Sequence, residues 1–260
     1  MARLRDCGER KGRRFGHLSM CIVAIAHQVS TRYPLIVAAN RDERHARAST
    51  EAHWWAGPGL LLAGQDLEAG GTWLGVTKSG RFAAVTNIFE ADAAPGERSR
   101  GELVTAFLRG SVNACDHAAA VADEGSRFGP FNLVFSDGDE LAFVSNRNAA
   151  ETLRAGIHVF SNNVPGLQWT KVGLLAEVIE GSADRDDLHE YLMEKLSGPA
   201  ARGPLERAPD SLFVVGERFG TRCTTVLTVD AAGHARFIEQ RFAASGADAG
   251  RSAFNFDIAR

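Results

Sequence analysis

Over much of the chain the apolar positions fall in short runs, bounded by glycine and polar residues, that predict strands. Cys21 to Ala26 is the first run and Pro34 to Ala39, rich in Ile and Val, the second. Trp73 to Thr77 and Arg81 to Ile88 flank Lys78-Ser79-Gly80, and Asn132 to Ser136 and Glu140 to Ser145 flank Asp137-Gly138-Asp139. Both read as hairpins turning on a glycine. Gly156 to Ser161, Ser211 to Gly216, Cys223 to Val229 and Ala235 to Phe242 complete the strands, the last two joined by Ala231-Ala232-Gly233. Helices fall between the strand groups. Ser99-x-x-Glu102 is a capping box before Leu103, Phe107 and Leu108, and predicts a helix running to about Gly110. Asn113 to Asp123 is Ala-rich. Trp169 to Ile179 carries a helical stripe at Val172, Leu175, Ala176 and Ile179, and Asp184 to Leu196 a second at Leu188, Leu192 and Leu196.

Strand groups interrupted by helix pairs indicate an α+β fold, not alternating βαβ units. The expectation is a four-layer αββα sandwich with two antiparallel sheets. Residues 1–19 lack apolar periodicity and read as a basic disordered extension. Three origins are open: a start assigned upstream of Met20, a propeptide, or a genuine tail. The first is favoured, because Met20-Cys21 opens the first strand. The domain spans 20–243. Residues 244–260, small and polar, are expected to be a flexible tail, with Phe254 and Phe256 the positions able to tuck back.

The bulk numbers narrow the classes. A 260-residue chain with 45% hydrophobic residues buries a sizeable core, and a net charge of −3 points to no nucleic-acid or membrane surface. No apolar run reaches the length of a membrane span. Cys7, Cys21, Cys115 and Cys223 form no C-x-x-C, so zinc-ribbon and thioredoxin chemistry are disfavoured. They read as reduced thiols of a cytoplasmic protein. No metal and no cofactor is required.

Ala39-Asn40-Arg41-Asp42-Glu43 carries a distinctive tetrapeptide, supported by Met20-Cys21, Ala63-Gly64-Gln65-Asp66 and Gly70-Gly71-Thr72-Trp73-Leu74-Gly75. Val85-Thr86-Asn87, Ser99-Arg100-Gly101-Glu102-Leu103, Phe131-Asn132-Leu133, Ser161-Asn162-Asn163 with Trp169, and Phe219-Gly220-Thr221-Arg222-Cys223-Thr224-Thr225 follow. In this order, from Met20 to about Phe242, the chain resembles the NRDE family, the relatives of transport and Golgi organisation protein 2. More distantly it is similar to the cysteine N-terminal-nucleophile (Ntn) hydrolases of the choloylglycine hydrolase and penicillin acylase group. One position departs from that group: Ala39 stands where an arginine usually precedes the N-x-D segment.

The resemblance implies an Ntn-like sandwich and a candidate amide hydrolase acting on non-peptide C–N bonds, with Cys21 as N-terminal nucleophile. An α-amino group of pKa about 8 lets one residue supply both nucleophile and base. Catalytic roles carry over to Cys21, to Asp42 holding the α-ammonium, to Asn87 as an oxyanion donor, to Asn162 orienting the substrate amide or adding a second donor, and to Arg222 stabilising the thiolate or an anionic substrate. Asn40, Arg41, Trp73 and Asn163 are the substrate-binding candidates. The partner is then a small-molecule acyl amide. The same resemblance implies an alternative: a non-catalytic haem, acyl-CoA or lipid trafficking protein on one scaffold. For that role His27, His45, His53 and Trp54-Trp55 are the candidate contacts.

Overall fold

The computed structural model describes residues 21–90, 92–162, 169–198, 201–202 and 211–259. Residues 1–19 lie outside the described residues, as does Asn163.

Two antiparallel sheets form the centre. The first contains β1 (Ile22–His27), β2 (Leu35–Arg44), β10 (Gly156–Ser161), β13 (Phe219–Val229), β14 (His234–Phe242) and β15 (Asp248–Asp257), in the order β10-β1-β2-β13-β14-β15. The second runs in sequence order through β3 (His53–Trp54), β4 (Leu61–Ala63), β5 (Leu74–Thr77), β6 (Phe82–Asn87), β7 (Phe131–Ser136), β8 (Leu141–Ser145) and β9 (Glu151–Leu153). Two short strands, β11 (Ala201–Arg202) and β12 (Val214–Val215), pair parallel to each other.

Strand alternation distributes the apolar side chains over three layers of core. Val23, Ile25, Val37 and Leu227 of the first sheet meet Leu62, Val76, Phe82 and Val134 of the second. The opposite face of the first sheet, with Ile22, Ala24, Ile36 and Val226, packs on Leu175 and Ile179 of α3 (Thr170–Glu180) and Leu188 and Leu192 of α4 (Leu188–Leu196). The opposite face of the second sheet packs on Leu103 and Phe107 of α1 (Arg100–Arg109) and on Ala118 and Val121 of α2 (Ala114–Glu124). Because every central strand is covered on both faces, its apolar residues form runs instead of alternating. The result is the four-layer αββα sandwich.

The local signals operate as expected. Ser99 Oγ accepts the Gly101 N–H at 3.3 Å and the Glu102 carboxylate accepts the Ser99 N–H at 3.0 Å, starting α1. Asn113 caps α2 by accepting the Asp116 N–H at 2.8 Å. Gly80 turns β5 into β6 at φ +82°, a conformation that costs a residue with a Cβ. Gly71 has a different reason to be glycine: a Cβ there would lie 2.7 Å from the backbone carbon of Gly101. The loop before β5 therefore presses directly on the first turn of α1.

Three expectations are corrected. The second strand does not stop at Ala39 but continues to Arg44, so Asn40 to Glu43 are strand residues. Their polar character is overridden by pairing, with Asn40 opposite Thr224 and Asp42 opposite Thr221. Residues 248–257 are strand β15 and not a flexible tail. Its alternation places Phe254 and Phe256 on one face, where both meet the Trp54 ring edge to face, Phe256 at 5.0 Å between centroids. The last helix begins at Leu188, four residues after Asp184. Among the described residues no helix is long and apolar enough to cross a membrane.

Candidate active site

Cys21 immediately precedes β1, one residue before the Ile22–Asn40 pair, and so stands level with Arg41 on β2. Alternation sends its side chain, like those of Val23 and Arg41, toward the second sheet. There it borders a cavity of about 730 Å³ also lined by Arg41, Trp73, Asn87, Arg100 and Asn162. The thiol is 6% exposed and its Sγ donates to the Asp42 carbonyl oxygen at 3.7 Å.

The two asparagines arrive from different sheets. Asn87 is the last residue of β6. Asn162 follows β10, whose Ser161 pairs with Ile22. A hydrogen-bonded tie fixes their relation. Thr86 Oγ1 donates to the Ser161 carbonyl at 2.8 Å, and Asn132 Nδ2 donates to the same oxygen at 3.1 Å. The Asn162 carbonyl accepts the Phe89 N–H at 2.8 Å. Asn162 is fully buried, yet neither atom of its side-chain amide has a hydrogen-bond partner among the described residues. Leaving such a group unpaired costs about 1–3 kcal/mol in a folded interior.

Asp42 lies beside the thiol but on the other face of the strand. Thr221 Oγ1 donates to its Oδ1 at 2.7 Å, and Lys171 Nζ on α3 is 3.8 Å from its Oδ2, both charged side chains being 0% exposed. Burial pushes the Asp42 carboxyl up to about 6, opposed by Lys171, the Thr221 hydroxyl and Arg41. Burial pulls the Lys171 ammonium below its ordinary value, opposed by Asp42 and by the Cys21 thiol. The thiol therefore has a buried cation–carboxylate pair behind it, and its cavity is lined by five arginines, Arg41, Arg44, Arg47, Arg98 and Arg100.

Two expected site residues lie elsewhere. Asn40 does not reach the cavity, because alternation turns it toward α4. Its Nδ2 donates to the carbonyls of Leu196 at 2.9 Å and Leu212 at 2.7 Å, and its Oδ1 accepts from Thr224 Oγ1 at 2.6 Å. It ties layers together and contacts no cavity. Arg222 is the extra residue of a bulge between the Thr221–Asp42 and Cys223–Arg41 pairs, and a bulge re-aims its side chain. Its Nη1 donates to the carbonyls of Arg44, His45 and Arg47 at 3.1 to 3.2 Å. It borders a cavity of about 100 Å³ that shares Arg41, Asp66, Thr72 and Trp73 with the one that Cys21 borders.

The sequence reading missed Lys171, Thr221 and Arg100. The signal for Lys171 was present: it lies four residues before Leu175 and eight before Ile179, on the buried face of α3. Among the histidines, His45 Nε2 is 2.9 Å from the Gly216 carbonyl and His53 Nδ1 is 2.9 Å from the Glu51 carbonyl. His27 is buried in β1. None of the three borders the large cavity, and neither Trp54 nor Trp55 does. The other described cysteines differ from Cys21. Burial, with Glu239 beside it, holds the Cys223 thiol well above its usual range, while Cys115 is exposed on α2.

The model of the TANGO2 family, Transport and Golgi organisation 2, matches residues 20–244. The human Transport and Golgi organization protein 2 homolog is 33% identical over 238 residues, covering 80% of this chain and 86% of that protein. The Mus musculus homolog is 32% identical with the same coverage. The Drosophila melanogaster protein is 25% identical over 259 residues, covering 85% of this chain and 92% of its own length. Among solved structures, the Caenorhabditis elegans N-acylethanolamine-hydrolyzing acid amidase ortholog superposes with a TM-score of 0.53 at 13% identity, over 80% of this chain and 92% of that one. That likeness concerns the fold, which is the Ntn-hydrolase sandwich. On the strength of the family model and of relatives a third identical over most of their length, the chain belongs to the Transport and Golgi organisation 2 family.

Proposed function

We propose that this chain is a cysteine Ntn hydrolase of small acyl amides, with Cys21 as the nucleophile once the residues before it are removed. The observation that carries the reading is the convergence of the Cys21 thiol with Asn87 and the unpartnered, buried Asn162 amide on one cavity. The freed α-amine takes the thiol proton. The thiolate then attacks the amide carbon, and the carbonyl oxygen gains the charge. Asn87 donates its side-chain N–H to that oxyanion and Asn162 pairs with the substrate amide. Collapse breaks the C–N bond, the α-ammonium protonates the departing amine, and an acyl thioester remains on Cys21. Water, deprotonated by the same amine, hydrolyses the thioester, releasing the acid and restoring the thiol. Asp42, held by Thr221 and Lys171, receives the α-ammonium through a charge-assisted hydrogen bond. The fold neighbour's name, an amidase of N-acylethanolamines, supports acyl amides as the substrate class.

Labelling tests the reading. Treated with a β-lactone, an acylating electrophile, the protein is expected to carry its adduct on Cys21, although Cys21 is buried and Cys115 exposed. Adduct on Cys115 alone, with haem or acyl-CoA bound stoichiometrically, would instead favour the trafficking role. A variant adds a second check. Asn87→Ala is expected to lower kcat about 10²- to 10³-fold, the usual loss of one oxyanion donor, with KM for a dodecanoyl amide nearly unchanged. A KM effect alone would remove Asn87 from the oxyanion site.

A further inference from the structure

The first sheet ends on β15, which pairs with β14 on one side and, among the described residues, with no strand on the other. At ten residues it is the longest edge strand of the two sheets: β3 and β9 span two and three residues, and β10 six. It follows residues 20–244, the stretch that the family model matches. An edge of this length offers a row of unpaired backbone groups to another chain, and proteins blunt such edges with proline, lysine or a bulge. From Arg251 to Asp257 this edge carries no proline and no lysine. Its register with β14 is regular there, the irregularity lying earlier, between the Gln240–Arg251 and Phe242–Asp248 pairs.

Neighbouring bonds fix which backbone groups point outward. Asp230 donates its N–H to the His234 carbonyl at 3.0 Å, so His234 faces β13 and turns away from Asp257, its partner on β15. One step on, Ile258 donates its N–H to the Gly233 carbonyl at 2.9 Å. Backbone groups alternate in direction along an antiparallel pair. Those of Ser252, Phe254 and Phe256 therefore serve β14, and those of Arg251, Ala253, Asn255 and Asp257 face outward. The outward row stops there, because Ala259 gives its N–H to the Lys78 carbonyl at 2.8 Å.

We propose that β15 pairs antiparallel with β15 of a second copy of this chain, about a two-fold axis at Phe254, joining two six-stranded sheets into one. Register and charge select this partner. Outward groups must oppose outward groups, so Arg251, Ala253, Asn255 and Asp257 face members of the same set. With the axis at Phe254, Ala253 faces Asn255 of the second copy and Arg251 faces Asp257 of the second copy, twice over by symmetry. Shifting the axis to Ala253 sets Arg251 against Asn255, and shifting it to Asn255 sets Asp257 against Ala253. Either shift loses both ion pairs. Arg251 and Asp257 are the charged residues of this stretch, and both are exposed. Among the described residues Arg251 has no carboxylate within ion-pair distance, and Asp257 has an exposed His234 at 3.5 Å. On the other face Phe254 meets its own copy in a pair whose side chains approach closely. Each Phe254 is already backed by Trp54 and Phe237, at ring-centroid distances of 6.4 and 6.5 Å. A single strand pair buries a modest area, so the dimer is weak and salt-sensitive.

Sedimentation velocity of the full chain, from about 1 μM to about 1 mM, tests this. The mass is expected to rise with concentration from one chain to two, and the dissociation constant to rise with salt. Arg251→Asp and Asp257→Arg are each expected to raise that constant at least about 10-fold, because like charges then stand opposite each other twice. The doubly reversed chain is expected to recover the parent value, which requires the two positions to face each other. Ala253→Pro removes an outward N–H without breaking a bond to β14, and is expected to leave the chain monomeric with its thermal unfolding little changed. A parent chain that stays monomeric throughout overturns the proposal. So does a dimer indifferent to the proline and to both charge reversals, since it uses another surface. None of these outcomes depends on the hydrolase reading.

Discussion

Cys21→Ala is expected to lower acyl-amide turnover by about 10⁴-fold or more, the scale seen when a covalent nucleophile is deleted, while leaving the fold in place. The geometry explains both halves. The thiol borders the cavity, and its hydrogen bond to the Asp42 backbone carbonyl is a long contact of 3.7 Å. Removing a single buried sulfur costs little packing. Neither of the other described cysteines borders this cavity: Cys223 borders the neighbouring small cavity and Cys115 is on α2. Steady-state rates on dodecanoyl amides, with thermal unfolding as the control, decide the matter. A variant retaining a tenth of the parent rate would remove Cys21 from the chemistry.

Lys171→Met is expected to cost about 3–5 kcal/mol near neutral pH, the usual penalty for breaking a buried ion pair by removing one partner. Asp42 and Lys171 are both fully buried, 3.8 Å apart. Without the ammonium, Asp42 keeps Thr221 as hydrogen-bond partner but loses the strongest opposition to burial of its charge. The sign of the pH dependence follows. The folded-state pKa of Asp42, about 6, already lies above its ordinary 3.8. Its contribution to stability is therefore full below 3.8 and lost as pH rises through 6. Losing Lys171 raises that pKa further. The deficit of Lys171→Met is thus expected to be small below pH 6, to grow as pH rises above it, and to be full only above the variant's own, higher Asp42 pKa. Adding Asp42→Asn is expected to restore most of the stability and flatten its pH profile, without restoring turnover. Denaturant unfolding of the parent, both single variants and the double variant measures this. Simple additivity of the two single effects would show that the residues do not act as a pair.

The fold was largely legible because its central strands are covered on both faces, which turns them into apolar runs that stand out from their polar turns. Ser99-x-x-Glu102 and Gly80 marked ends by their own chemistry. What stayed hidden depends on partners far away in sequence. The polar Asn40 to Glu43 stretch is strand only because Thr221 to Thr224 pair with it. The small, polar Asp248 to Asp257 stretch is strand because β14 and Trp54 receive it.

The site divides the same way. Cys21, Asn87 and Asn162 close strands or open them, and strand ends of the two sheets meet at one cavity. Asn40 was misjudged because one step along a strand changes the face. The bulge that sets the direction of Arg222 is invisible until the register is known. Lys171 was overlooked because a helical stripe draws the eye to its leucines, although a lysine four residues before Leu175 shares their face.

The account stands on a free amine at the thiol-bearing residue, since an amide nitrogen is no base. Intact mass of the mature protein recovered from its native source, followed by sequencing from its amino end, reads this directly. A chain beginning at Cys21 is the predicted result. A mature chain that still carries any residue ahead of Cys21 would contradict it.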